Sequence, residues 1–245
     1  MNRRQLLIGS AIGVAGAALP LIGSRSAQAS GAMSHELQES LRACTPSDAL
    51  GRLQDGNARF AKAWTAASGT GTPQQRMQKL NAIWDNNCQI DPHALSQGQK
   101  PFAALLSCAD SRVDPSWMFA CGSGELFQVR SAGNTAFDDG IASLEYAVAV
   151  LGVPLIVVMG HSGCGAVKAA IASDPLTPLL EKLVTPIRAS LQSRDDLNQA
   201  IQENCRYATG QLSARSTVIK DAAASGKLKI RSAYFDIGSG VVSLI

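Results

Sequence analysis

Pro101 to Arg112 reads PFAALLSCADSR and Pro154 to Gly165 reads PLIVVMGHSGCG. Each begins with a short apolar run, Pro101 to Leu106 and Pro154 to Met159, of the kind that forms a strand buried on both faces of a parallel sheet. Each then ends in polar residues, and open α/β sheets place their active sites at strand ends of this kind. Cys108, His161 and Cys164 supply two thiolates and one imidazole, a donor set suited to zinc. Cys108 is 53 residues from His161 and 56 from Cys164, so a local zinc finger is excluded and a sheet must bring them together. His161 and Cys164 are three residues apart and reach one metal from a tight turn. No fourth Cys or His lies nearby, which leaves the exchangeable position of a catalytic site. Asp110 is the residue able to close it, and Arg112, two residues further on, is placed to hold that carboxylate in a charge-assisted pair.

Around these segments the pattern predicts an α/β fold, a central, mostly parallel sheet flanked by helices with an N-terminal helical arm. Thr45-Pro46-Ser47-Asp48 has the composition of a helix start with Thr45 as the cap. Leu50, Leu53, Phe60, Ala61 and Trp64 then recur on one face, and after the break at Ser68 to Thr72 a second stripe follows at Met77, Leu80, Ile83 and Trp84. Strands are expected at Ala103 to Leu106, Leu126 to Arg130, Pro154 to Met159, Lys229 to Phe235 and Val241 to Ile245. Helices are expected at Asp139 to Leu151, from Cys164 through Ala170, and around Leu179 to Leu191, Asp196 to Leu212 and Thr217 to Ala224. Trp64 and Trp84 read as packing anchors.

CADSR at 108–112, HSGCG at 161–165, GELFQVRSAGN at 124–134 and SLEYAV at 143–148 together resemble the β-class carbonic anhydrases, from about Leu50 onward. The resemblance implies zinc held by Cys108, His161 and Cys164, and an Asp110/Arg112 dyad that controls the open coordination position. It implies an active-site glutamine at Gln99 and a substrate pocket with Phe127 and Tyr146, the latter contributed across a dimer interface; Ala132 completes an apolar wall. The activity implied is the reversible hydration of CO2 to bicarbonate and a proton by zinc-bound hydroxide. The assembly implied is a homodimer or higher even oligomer, with the N-terminal helices lying across the partner subunit. Ser131 stands where many members have Asn, and Leu105 where members with a regulatory bicarbonate site have Trp. A hydrolase of carbonyl sulfide or carbon disulfide, and a zinc-stabilised export or assembly protein without activity, are the competing readings.

The first 29 residues read as a twin-arginine signal, with Arg3 and Arg4 before an apolar run to Ile22 and a small-residue cleavage pattern at Ala27-Gln28-Ala29. This divides the chain into a signal at 1–29, an extension and helical arm at 30–100, and the α/β core at 101–245, destined for the periplasm without a permanent membrane anchor. The signal carries Arg3, Arg4 and Arg25 and no acid, so its removal lowers Lys+Arg from 22 to 19 against 19 Asp+Glu. A neutral mature chain without an interleaved basic and aromatic stripe excludes a nucleic-acid partner. Cys44 and Cys88 lie before the core and are candidates to pair, whereas Cys121 and Cys205 read as small apolar packing groups. His35, His93 and Lys168 read as surface residues.

Overall fold

The strand expected from Ala103 ends at Cys108, and this strand, β1 (Ala103–Cys108), is buried throughout. The other strands of the sheet are β2 (Leu126–Ser131), β3 (Leu155–His161), β4 (Lys229–Asp236) and β5 (Val241–Leu244). The structure is a computed structural model and describes residues 34–245 except 70, 86, 173 and 193. The export segment expected at 1–29 lies outside the described residues. The strand order is β2-β1-β3-β4-β5, with all pairings parallel except β4 with β5. The chain therefore passes from β1 to β2 on one side of it and then crosses to β3 on its other side. This creates a topological switch point at the carboxyl ends of β1 and β3, where such sheets form a crevice.

The helices are α1 (His35–Arg42), α2 (Ala49–Ala67), α3 (Pro73–Asn81), α4 (Pro92–Gln97), α5 (Pro115–Met118), α6 (Asp138–Ala149), α7 (Gly165–Ile171), α8 (Pro178–Ser190), α9 (Leu197–Arg215) and α10 (Thr217–Ala224). Side chains alternate across the sheet, as the two-residue strand period requires. Ala103, Leu105, Val157 and Met159 face α2 and α5, whereas Ala104, Leu106, Ile156 and Val158 face the layer of α6, α9 and α10. Among the described residues, no helix is long and apolar enough to cross a membrane.

The helical arm departs from expectation in two ways. First, α2 begins at Ala49, because the Asp48 carboxylate accepts the Leu50 N–H and so supplies the cap expected of Thr45. The chain just before it is tied down by a Cys44–Cys88 disulfide, which resolves the cysteine pairing left open by spacing. Second, the apolar stripe of α2 is covered by its own chain. Leu53 and Phe60 are buried against the sheet, and the Phe60 ring lies 6.3 Å from Phe235. Gly56 lies so close to the segment after α5 that a β-carbon there would come within 1.8 Å of the Phe119 carbonyl oxygen.

Arg52 strengthens the same contact from the edge of α2. It donates to the carbonyls of Phe119 and Ala120 and to Asn87 Oδ1, and pairs with buried Glu125 at 3.3 Å. Further along, Thr72 and Gln75 form a capping box at the start of α3, and Trp84 meets Trp117 edge to face at 5.6 Å. Met77, by contrast, is exposed. Cys121 and Cys205 are buried thiols, pushed up by desolvation to about 12 and about 11 respectively. Both therefore behave as packing groups.

Candidate metal centre

Cys108 is the last residue of β1 and His161 the last of β3, so adjacent strands bring together residues remote in sequence. The chain then turns through Gly163, whose φ of 67° is in the left-handed region that glycine adopts freely. Cys164 follows as the residue capping α7. The donor atoms of Cys108, His161 and Cys164 lie within 4.8 Å of one another, and all three residues are buried. A tetrahedral zinc with about 2.3 Å to sulfur and about 2.0–2.1 Å to nitrogen sets donor separations of roughly 3.5–3.8 Å. The triad fits that size.

The imidazole is oriented for a ligand. His161 Nδ1 lies 3.1 Å from the Ser162 carbonyl and can donate to it, while buried Nε2 has no hydrogen-bond partner. A ring nitrogen fixed as donor leaves the other free as a metal-binding lone pair. The Cys108 thiol is also prepared for ionisation. A hydrogen bond from Cys164 holds the Cys108 thiol well below its ordinary range, assisted by the Gly133 N–H at 3.3 Å from its sulfur. The same hydrogen bond between the two thiol groups, together with burial, pushes Cys164 up. Opposing that rise, the backbone N–H groups of Val167 and Ala166 in the first turn of α7 favour its thiolate.

Asp110 and Arg112 form the pair expected from their spacing. Arg112 Nε donates to Oδ1 at 2.9 Å and Nη2 to Oδ2 at 2.6 Å, while its backbone N–H also reaches Oδ1 at 2.9 Å. These side-chain bonds hold the Asp110 carboxyl well below the usual carboxylate range. Asp110 Oδ2 lies 3.8 Å from His161 Nε2, beside the triad. The second guanidinium in this region, Arg130, was not singled out by sequence. It donates to the carbonyls of Cys108, Asp110 and Val113 and fixes the loop carrying both the ligand and the dyad. Its signal was position, one residue before the end of a strand parallel to β1.

The pocket residues divide into two groups. Ala132 directly follows β2, beside Gly133, whose N–H meets Cys108 and whose carbonyl accepts from Asn204. A β-carbon on Gly133 would approach Ile187 within 2.7 Å and Ala166 within 3.0 Å, so this close approach to the sulfur requires glycine. Ser131 Oγ bonds the carbonyl and hydroxyl of Thr135 and holds the following turn. Phe127, however, pairs in register with Ala104, about 13 Å from the level of Cys108 at roughly 3.3 Å per residue. Tyr146 packs against Phe127 at 6.3 Å between ring centres and remains 47% exposed. Gln99 precedes β1 and is exposed. These three residues lie towards the amino end of the sheet, away from their own chain's triad. His35, His93 and Lys168 are exposed, as expected.

The carbonic anhydrase family profile matches residues 103–242. Carbonic anhydrase 2 of Mycobacterium tuberculosis is 36% identical over 198 residues, covering 77% of this chain and 87% of the relative. The β-carbonic anhydrase CafA of Aspergillus fumigatus has a TM-score of 0.58 at 27% identity, over 62% of this chain and 79% of that one. A tetrameric β-carbonic anhydrase from Sordaria macrospora shares the fold with a TM-score of 0.58 at 24% identity, over 70% of this chain and 95% of that one. The family profile and the Mycobacterium tuberculosis relative define the class as carbonic anhydrases. Within that class, the chain belongs to the β-class carbonic anhydrase family.

Proposed function

We propose that the chain catalyses the reversible hydration of CO2 to bicarbonate and a proton, with zinc at Cys108, His161 and Cys164. The observation that carries this reading is an open three-donor cluster beside a carboxylate already engaged by arginine. Zinc, when bound, supplies a Lewis acid that lowers the pKa of a coordinated water. Two thiolates cancel the formal charge of the ion and leave it a weaker acid than three neutral imidazoles would. This makes Asp110 useful as an acceptor beside the site. Arg112 occupies both carboxylate oxygens, restraining Asp110 from acting as a fourth ligand. The carboxylate stays ionised well into acid, because the pairing depresses its pKa, and it orients the attacking oxygen by accepting a hydrogen bond. Ala132 supplies an apolar boundary beside the triad for a small uncharged substrate.

The pocket is proposed to be completed in a homodimer or higher even oligomer. Gln99, Phe127 and Tyr146 act there across the subunit boundary, with Gln99 donating its amide hydrogen to a substrate oxygen. Their position away from their own triad supports this arrangement. Hydration of CO2 by the zinc-loaded mature chain at pH of about 6 to 9 is the direct test, with carbonyl sulfide and carbon disulfide compared alongside. CO2 is expected to be the preferred substrate. Retained zinc without hydration across that range refutes the activity, and faster turnover of a sulfur substrate reassigns it.

We also infer a periplasmic destination by a twin-arginine route. The Cys44–Cys88 disulfide supports an oxidising compartment. The zinc cysteines instead need to remain thiolates, which folding and metal capture before export secures. Replacing Arg3 and Arg4 together by Lys is expected to leave the precursor inside the cell, checked by fractionation and the size of the product. Unchanged periplasmic, zinc-loaded protein from that variant refutes the route.

A further inference from the structure

The turn at 236–240, between β4 and β5, rests on the segment that carries two metal ligands. Ser162 donates its backbone N–H to the Phe235 carbonyl at 2.9 Å, and its Oγ accepts the Ile237 N–H at 2.9 Å. Since Ser162 directly follows His161 and lies two residues before Cys164, these bonds fix the backbone from which both ligands project. The turn is braced internally by Asp236, which accepts the N–H of Ser239 at 2.9 Å and its hydroxyl at 2.6 Å.

On its other side the turn is held by α2. Trp64 Nε1 donates to the Ile237 carbonyl at 2.8 Å. Asn57 Nδ2 donates to the Gly240 carbonyl at 3.0 Å, while its Oδ1 accepts the Val242 N–H at 2.8 Å. A β-carbon on Gly240 would come within 3.0 Å of the Trp64 ring, so helix and turn are in direct contact. Ile237 is consequently held by Ser162 at its N–H and by Trp64 at its carbonyl. Leu53 and Phe60 account for the apolar packing of α2, whereas Trp64 is committed to this turn and Asn57 links it to α5, its Nδ2 also donating to the Met118 carbonyl at 3.2 Å.

We infer that Trp64 and Asn57 are positioning residues for the metal-binding turn, acting through residues 236–240 and Ser162 on His161 and Cys164. This rests on the zinc reading above and adds a remote determinant of metal affinity. Trp64→Phe keeps an aromatic ring beside Phe60, stacked against Trp64 at 5.3 Å, and deletes the indole donor. It is expected to raise the zinc dissociation constant about 2–10-fold, the equivalent of one neutral hydrogen bond. Chelator competition on the folded protein measures this, with circular dichroism establishing the fold.

Ser162→Ala should weaken zinc by a similar or larger factor, and Ser162→Thr should restore it by retaining the hydroxyl. The Trp64→Phe/Ser162→Ala double variant should bind zinc no more weakly than Ser162→Ala alone, because the two groups act in series. Unchanged affinity in Trp64→Phe, or effects that multiply in the double variant, overturns the inference. If Trp64→Phe does not fold, equal affinities for Ser162→Ala and Ser162→Thr overturn it instead. A parent chain unable to hold zinc refutes the metal reading and this inference together. A parent that holds zinc, with Trp64→Phe holding it equally, refutes the positioning role alone.

Discussion

Cys108→Ala is expected to lose bound zinc and CO2 hydration together. The substitution removes one of two thiolates from a site with three protein donors, leaving His161 and Cys164 on one short turn. Loss of an outer-sphere partner commonly weakens metal binding about 10–100-fold, and removal of a direct donor should exceed this. Cys108 also receives the Gly133 N–H, so the alanine leaves that donor without its sulfur partner. Metal analysis after gel filtration and a hydration assay on the same sample measure the two losses. Full zinc occupancy with near-parent activity would remove Cys108 from the site.

The second large effect is expected at the dyad. Asp110→Asn retains the size of the side chain but loses its negative acceptor, and should lower hydration by about 100-fold or more. Arg112→Ala acts differently, since it releases a carboxylate whose Oδ2 is already 3.8 Å from His161 Nε2. That carboxylate can then compete for the open position, lowering hydration about 10–100-fold while zinc remains bound. Raising bicarbonate or pH should not restore Asp110→Asn, because no titration recreates its charge. Activities within twofold of the parent in both variants, by the criterion of roughly 0.4 kcal/mol or less in barrier height, would make the pair incidental.

The cluster of Cys108, His161 and Cys164 and most of the sheet were legible because their signals are local. Unbroken apolar runs marked β1 and β3, and the polar residues at their ends marked the crevice. The beginning of α2 was misread because Thr45 and Asp48 are both able to cap, and only the Asp48–Leu50 bond distinguishes them. Coverage of α2 by its own sheet was invisible in a helical stripe, which states that a face is apolar but not what it meets. The Cys44–Cys88 pairing depended on spatial proximity that sequence separation does not encode. The positions of Gln99 and Phe127 relative to the triad needed the direction and register of β1 and β2. Arg130 was hidden for a different reason: its three acceptors are main-chain carbonyls, which carry no residue-type signature.

Asn57 places a condition on the birth of the enzyme. Its acceptor at Gly240 and the donor at Val242 lie 183 and 185 residues downstream, beyond four strands of the sheet. While the ribosome still holds the last strand, α2 lacks these two bonds, and its apolar face lacks the Phe235 ring. The native arm can therefore close only after β5 has been made, placing this helix among the late, long-range contacts of folding. A nascent chain stalled before β4 should expose α2 to chaperones or protease, whereas a chain free through β5 should bury it.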